Sequence, residues 1–132
     1  PHMNVRQNVT YGAHGAPMED LARVLAVLDL EPLVERRVEQ LSGGEQKRTA
    51  IARALMAGSR MLLLDEPLSA LDVALQRRVV QYLVRVHDEF KIPMLYVSHR
   101  ADEVSMLTNW VVQLDNGRVV ASGPSEDILA RV

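Results

Sequence analysis

The sequence predicts an α/β fold in which strands and helices alternate along the chain. The first observation is an apolar run, Met61–Leu64, that leads directly into two carboxylates. Such a run is typical of a parallel strand that is covered on both faces. The second observation is a helical pattern over residues 73–90, followed by a second apolar run, Met94–Val97. A strand, a helix and a strand in this order favour a parallel sheet with flanking helices.

Helices are also predicted before the first strand. Pro17 with acidic residues after it is a typical helix start, and Leu33–Arg37 is predicted to form a shorter helical turn. Ser42 and Glu45 match a capping box, which predicts a helix that ends near Ala57. The buried face of that helix is predicted from apolar residues at helical spacing: Ala50, Ile51, Ala54 and Leu55.

The C-terminal part is predicted to contain a helix, a β-hairpin and a last helix. The first helix covers Ala101–Leu107. The apolar runs Trp110–Leu114 and Val119–Ser122 flank an Asn-Gly pair, which is a strong hairpin signal. The last helix is predicted over Ser125–Val132.

Composition limits the class of protein. The 132 residues are 48% hydrophobic and 24% charged, which is ordinary for a globular domain with a core. The net charge of −2 gives no electrostatic reason to expect a nucleic-acid partner. The absence of cysteine excludes disulfides and thiolate metal sites. The longest apolar run is too short to span a bilayer, and no signal peptide is visible, so a cytoplasmic location is predicted.

Two stretches suit phosphate chemistry. The string Leu41-Ser42-Gly43-Gly44-Glu45-Gln46 opens a helix, whose free N–H groups and partial positive charge favour an anion. Asp65 and Glu66 end a buried strand, where open α/β sheets bind their ligands. Each feature has an ordinary alternative when taken alone: a capped helix for the first and a strand-end turn for the second.

Four motifs in one order decide between these alternatives. The string LSGGEQ at residues 41–46 is followed by LLLDEP at 62–67, by Ser69-Ala70-Leu71-Asp72 and by Ser98-His99. In this order they resemble the second half of an ATP-binding cassette (ABC) ATPase, with its signature motif, Walker B motif, D-loop and switch histidine. The resemblance covers nearly the whole chain.

The resemblance implies a role for each motif. The signature residues Leu41, Ser42, Gly43, Gly44, Glu45 and Gln46 would contact the γ-phosphate of ATP held by a second subunit, so the site would form only in a dimer. Asp65 would hold Mg²⁺, Glu66 would be the general base that orients the attacking water, and His99 would contact the γ-phosphate. Asp72 would couple the two sites of the dimer, and it also suits a helix N-cap.

The motif that binds phosphate in this family is missing from the sequence. No glycine is followed by lysine, so the pattern GxxxxGK[ST] does not occur. The chain is therefore predicted to be the C-terminal part of a P-loop NTPase core and to be inactive alone. Residues 1–57 are predicted to form the helical subdomain with the signature helix. Residues 58–132 are predicted to form the C-terminal part of the ATPase core.

The resemblance also implies an activity and partners. The parent protein is expected to hydrolyse ATP with Mg²⁺ and to energise an importer, as a dimer docked on transmembrane permease subunits at the inner face of the membrane. The strings SHRADEV and NGRVVASG are most similar to those of molybdate importer ATPases. Two alternatives stay open: a non-transport ABC ATPase of DNA repair or translation, whose usual long insertions are absent here, and a truncated product without activity.

Overall fold

The computed structural model describes residues 2–15, 18–69 and 71–130, and its helices and strands alternate as predicted. The elements in chain order are α1 (Val5–Thr10), α2 (Met18–Val27), α3 (Gly43–Met56), β1 (Leu62–Asp65), α4 (Val73–Phe90), β2 (Met94–Val97), α5 (Ala101–Leu107), β3 (Trp110–Asp115), β4 (Arg118–Pro124) and α6 (Ser125–Leu129). Pro17, the predicted start of α2, and Val132, the predicted end of α6, lie outside the described residues. The order β1, α4, β2 confirms the α/β class.

Strands β1 and β2 pair in parallel, from Leu62 opposite Met94 to Asp65 opposite Val97. The prediction that both faces of β1 are covered is wrong for the described chain. Leu62 is buried in the core, but Leu63 is 71% exposed. Successive side chains of a strand point to opposite faces, and the core of the described residues lies on the Leu62 face only.

Strands β3 and β4 form the predicted antiparallel hairpin, in which Asp115 pairs with Arg118. The residues between them, Asn116 and Gly117, have φ angles of 47° and 76°. Positive φ at both central residues is what a tight hairpin turn with the twist of its strands requires. The Asn-Gly signal is therefore confirmed in both position and conformation.

The helical turn predicted at Leu33–Arg37 is wrong. The chain there makes two separate 3₁₀ turns, Glu31–Leu33 and Val38–Gln40. The backbone between them bonds to the start of α1: the carbonyls of Val34 and Arg36 accept the N–H groups of Arg6 and Val5, at 3.0 and 2.9 Å. Arg37 is extended, with φ of −70° and ψ of 138°, so no single helical turn covers the segment.

Helix α1 was not predicted from the sequence. Asn4 and Gln7 form its capping box, since each side chain bonds to the backbone N–H of the other. Val5 and Val9 on this helix are fully buried in the main core. With six residues, α1 is too short to give a convincing helical period.

The main core is one cluster that contains buried side chains from α1 to the start of β2: Val5, Val9, Leu21, Val24, Leu25, Leu28, Leu30, Leu41, Ile51, Ala52, Met56, Leu62, Tyr82, Leu83, Val86 and Ile92. Ile51 is buried as predicted, whereas Ala50 is exposed, and Ala52 takes its place inside. Side chains from both sides of residue 57 share this cluster. The division into a helical subdomain and a core part stays a prediction.

A buried arginine joins three helices within the core. Arg48 of α3 donates to the carbonyl of Leu28 at 2.7 Å and to that of Asp29 at 3.0 Å, at the carboxyl end of α2. Its guanidinium also lies 4.7 Å from the centre of the Tyr82 ring on α4. The Tyr82 hydroxyl donates to Asp29 Oδ2 at 2.7 Å, and Arg85 pairs with the same oxygen.

We expect Asp29 to contribute to the free energy of unfolding at neutral pH and to lose this contribution in acid. The hydrogen bond from Tyr82, with a smaller contribution from Arg85, holds the pKa of Asp29 below its usual value. A carboxyl with a lowered folded pKa stabilises the fold above its unfolded pKa, and this contribution is lost as pH falls through the folded value, below about pH 4. Asp29→Asn should lower the free energy of unfolding at pH 7 by less than about 1 kcal/mol, since half of the side chain is exposed.

The measurement is urea unfolding at a series of pH values from neutral to acidic. The acid-induced fall in the free energy of unfolding should be shallower in Asp29→Asn than in the wild type. Asp88→Asn, which changes an exposed carboxyl on α4, is the matched control and should keep the wild-type slope. Equal slopes for Asp29→Asn and the wild type would contradict the assignment.

Candidate functional site

Glu66 begins a tight turn at the carboxyl end of β1. Its N–H donates to the carbonyl of Val97 at 2.9 Å, so the pairing with β2 extends one residue past the strand. Its φ angle is 45°, in the left-handed region that residues other than glycine rarely adopt. The Glu66 carbonyl accepts both the N–H and the hydroxyl of Ser69, at 3.2 and 2.9 Å. An unusual backbone conformation that is held by such bonds is common at functional sites.

Glu66 and His99 are in direct contact. Glu66 Oε1 accepts the backbone N–H of His99 at 2.9 Å and lies 2.8 Å from His99 Nδ1. An ionised carboxylate is only an acceptor, so the proton of this second bond is on Nδ1. The two residues follow β1 and β2 at the same edge of the parallel sheet, where α/β folds bind ligands. The His99 side chain is 78% exposed and that of Glu66 is 34% exposed, so both are open to solvent.

Asp65 precedes Glu66 and is the last residue of β1. It is exposed at the same sheet edge. Within residues 2–15, 18–69 and 71–130, no three His, Cys, Asp or Glu side chains come together as a metal site. Mg²⁺ commonly takes one or two carboxylates and completes its shell with waters and phosphates. A single exposed carboxylate at a strand end fits that mode of binding.

The signature residues open α3 with the predicted capping box. Ser42 Oγ accepts the N–H of Glu45 at 3.3 Å, and Glu45 Oε2 accepts the N–H of Ser42 at 2.8 Å. Gln46 donates through its amide to the carbonyls of Val38 and Leu41, both at 3.3 Å. These side chains therefore bind the chain next to them and fix the helix start.

The signature glycines pack against the start of α4. A Cβ on Gly44 would lie 2.5 Å from Leu75 Cδ1, and a Cβ on Gly43 would lie 3.2 Å from Leu71 Cδ2. Asp72 is the N-cap of α4, since its Oδ1 accepts the N–H of Leu75 at 2.9 Å. The structure thus brings the signature and the D-loop residue together. In the part of the chain that it describes, no hydrogen bond joins either of them to the Glu66–His99 pair.

Sequence reasoning missed three polar residues near His99: Gln76, Arg100 and Glu103. Glu103 is only 3% exposed, and its carboxylate accepts the hydroxyls of Tyr96 and Ser98, each at 2.9 Å. Burial, followed by the hydrogen bond to Glu103, raises the pKa of the Tyr96 phenol. Arg100 and Glu103 lie in the string SHRADEV, but the sequence assigns them no role, and the burial of Gln76 and Glu103 results from the packing of α4 and α5.

The order of the motifs and the parallel strand pair are those expected of an ATP-binding cassette protein, and comparison with known proteins places the chain in that class. The family described as "ABC transporter" matches residues 1–69, and the chain belongs to it. The resemblance found in the sequence is thereby confirmed. No helix of the described residues is long and apolar enough to cross a membrane.

Individual proteins that are similar to this chain indicate a narrower class than the family does. The chain is 50% identical over 137 residues to the molybdenum import ATP-binding protein ModC of Thiobacillus denitrificans, and 48% identical over 136 residues to ModC 1 of Azotobacter vinelandii. Each match covers 100% of this chain and 38% of the relative. Among solved structures, cbiO1 of Clostridium perfringens, part of the ABC transporter complex cbiONQ, has a TM-score of 0.90 at 27% identity. That match covers 98% of this chain and 54% of the cbiO1 chain.

Proposed function

We propose that this chain is part of an importer ATPase subunit, which hydrolyses ATP to move molybdate, a small oxyanion, across a membrane. The observation that carries the proposal is the 2.8 Å contact of Glu66 with His99 at the carboxyl edge of a parallel sheet. The names of the similar proteins, which are import ATP-binding proteins, support transport over DNA repair or translation. Because the chain spans 38% of their length, the activity belongs to a longer protein.

Glu66 and His99 supply the chemistry at the γ-phosphate in this proposal. Phosphoryl transfer asks the protein mainly to position groups and to stabilise charge. Glu66 orients the attacking water and accepts its proton. His99 contacts a γ-phosphate oxygen, and the bond between its Nδ1 and Glu66 holds the two side chains next to each other. Asp65 would hold Mg²⁺ through water, and the ion, when bound, neutralises charge on the phosphates.

The signature completes the site from a second copy of the subunit. Ser42, Gly43 and Gly44 lie at the N-terminus of a helix, where the free N–H groups and the helix dipole favour a phosphate. Asp72 lies beside this helix start and would couple the two ATP sites of the dimer. The dimer would dock on transmembrane permease subunits at the cytoplasmic face, and the transported anion would bind elsewhere.

A hybrid protein tests the proposal. In this hybrid, residues 1–132 replace the aligned segment of the Thiobacillus denitrificans relative, so that its remaining sequence supplies the phosphate-binding loop. We expect release of phosphate from ATP that depends on Mg²⁺. Asp65→Asn should raise the Mg²⁺ concentration for half-maximal rate by at least about tenfold, the usual cost of a lost outer-shell partner. Asp88→Asn should leave it unchanged. A folded hybrid without ATP hydrolysis, or an unchanged Mg²⁺ dependence in Asp65→Asn, would contradict the proposal.

A further inference from the structure

A buried amide joins the loop before α4 to the residue that follows His99. Gln76 Nε2 donates to the carbonyls of Leu68 and Leu71, at 3.2 and 3.0 Å. Gln76 Oε1 accepts from Arg100 Nη1 at 2.7 Å. Gln76 is 8% exposed, so water competes little with these bonds. The side-chain amide of Gln76 therefore donates to the loop that leads to Asp72 and accepts from the loop that contains His99.

Arg100 is fixed at several points besides Gln76. It forms a bidentate pair with Asp102, at 3.2 and 2.7 Å, and its Nε lies 3.3 Å from Glu103 Oε1. Its backbone N–H donates to Ser98 Oγ at 3.1 Å. A bidentate arginine–carboxylate pair has a defined geometry, so the guanidinium is held in place to meet Gln76.

Glu103 fixes the other side of His99. Its buried carboxylate accepts Ser98 Oγ at 2.9 Å, and Ser98 directly precedes the histidine. The hydroxyl of Tyr96 on β2 donates to the same oxygen at 2.9 Å. His99 therefore lies between two neighbours whose side chains are both anchored to this carboxylate. A buried polar network in which every member is bonded confers rigidity.

We propose that Gln76 and Arg100 are positioning residues that couple the loop before α4 to the His99 loop within one subunit. Movement of Leu71, beside the signature glycines, is transmitted through Gln76 to Arg100 and so to His99. In the proposed ATPase this link adjusts the position of His99 relative to the γ-phosphate when the state of the second ATP site of the dimer changes. The catalytic part of this statement rests on the proposed function, whereas the link itself is a property of this chain.

Amide hydrogen exchange of the 132-residue chain, followed by NMR, tests the link without any ATP. The amide of Leu71 bonds to the Leu68 carbonyl, and that of His99 bonds to Glu66 Oε1. Arg100 forms no hydrogen bond with the described residues of the loop before α4. Arg100→Met should nevertheless speed exchange of the Leu71 amide about fivefold, the effect of one hydrogen bond. Gln76→Met should speed exchange at His99 by a similar factor, and the double variant should add nothing to the larger single effect.

Two further variants make the result specific. Gln76→Glu keeps the acceptor for Arg100 but loses the donors to Leu68 and Leu71, so His99 should exchange at the wild-type rate while Leu71 exchanges faster. Arg77→Met, which changes the exposed neighbour of Gln76, should change neither amide. Rates are normalised to the amide of the buried Leu83, which reports global opening. Leu71 exchange in Arg100→Met within twofold of the wild type, or additive effects in the double variant, would overturn the link.

The catalytic consequence is measured separately in the hybrid. Arg100→Met should lower kcat for ATP about tenfold and change KM by less than about twofold, as expected when misplacement of His99 weakens an interaction made only in the transition state. An unchanged kcat would overturn the catalytic part even if the exchange results hold. A hybrid that does not hydrolyse ATP would instead contradict the proposed function. The link between the two loops would still stand, because the exchange rates test it independently.

Discussion

Glu66→Gln in the hybrid should lower the rate of ATP hydrolysis by roughly 10³-fold, within the usual range for loss of a general base. The amide has the size of the carboxylate and can still accept the His99 N–H through its oxygen. It has no charge, however, and it cannot accept a proton from the attacking water. The substitution should therefore remove catalysis while the fold and the turn at Glu66 persist.

The measurement is phosphate release at saturating ATP, together with the affinity for ATP by isothermal titration calorimetry. We expect the affinity for ATP to stay within about threefold of the parent hybrid, because the predicted role of Glu66 lies in the hydrolytic step. Glu126→Gln, the same change at an exposed position in the first turn of α6, is the matched control and should keep the parental rate. Hydrolysis by Glu66→Gln within tenfold of the parent would contradict the assigned role and would point to another base.

The regular elements could be predicted because their signals are local. Helix α4 and strand β2 have the bounds that the apolar pattern gives, and the Asn-Gly pair defines the hairpin. The apolar pattern alone does not show which faces of β1 and β2 are covered. A run such as Met61–Leu64 shows that a strand is apolar, but whether Leu63 is covered depends on which chain packs against it.

The residues of the site could be predicted from the motifs, but the contacts between them could not. Motif order placed Glu66 and His99 on neighbouring strands, but their direct contact depends on the register of β1 with β2 and on the left-handed turn at Glu66. Gln76 and Glu103 read as ordinary polar residues of helices. Their role becomes visible only when packing buries them and leaves specific atoms as their partners.

Arg48→Met should lower the free energy of unfolding by about 2–4 kcal/mol, the cost of removing a buried charged donor. Methionine fills a similar volume but donates no hydrogen bond, so the carbonyls of Leu28 and Asp29 lose the charged donor that they share. The cation–π contact with Tyr82 disappears as well. The effect is large because Arg48 is buried and water cannot readily replace it.

Urea unfolding at neutral pH measures this loss, with an unchanged m-value as the check that two-state behaviour is kept. Lys47→Met, on the same turn of α3, is the control and should change the free energy by less than about 0.5 kcal/mol. A loss that small in Arg48→Met would mean that the carbonyls at the end of α2 find other donors. A large loss would mean that this guanidinium, together with the apolar contacts of the core, holds α3 against α2 and α4. Arg48, which closes the string QKR after LSGGE, would then serve the fold as well as the site.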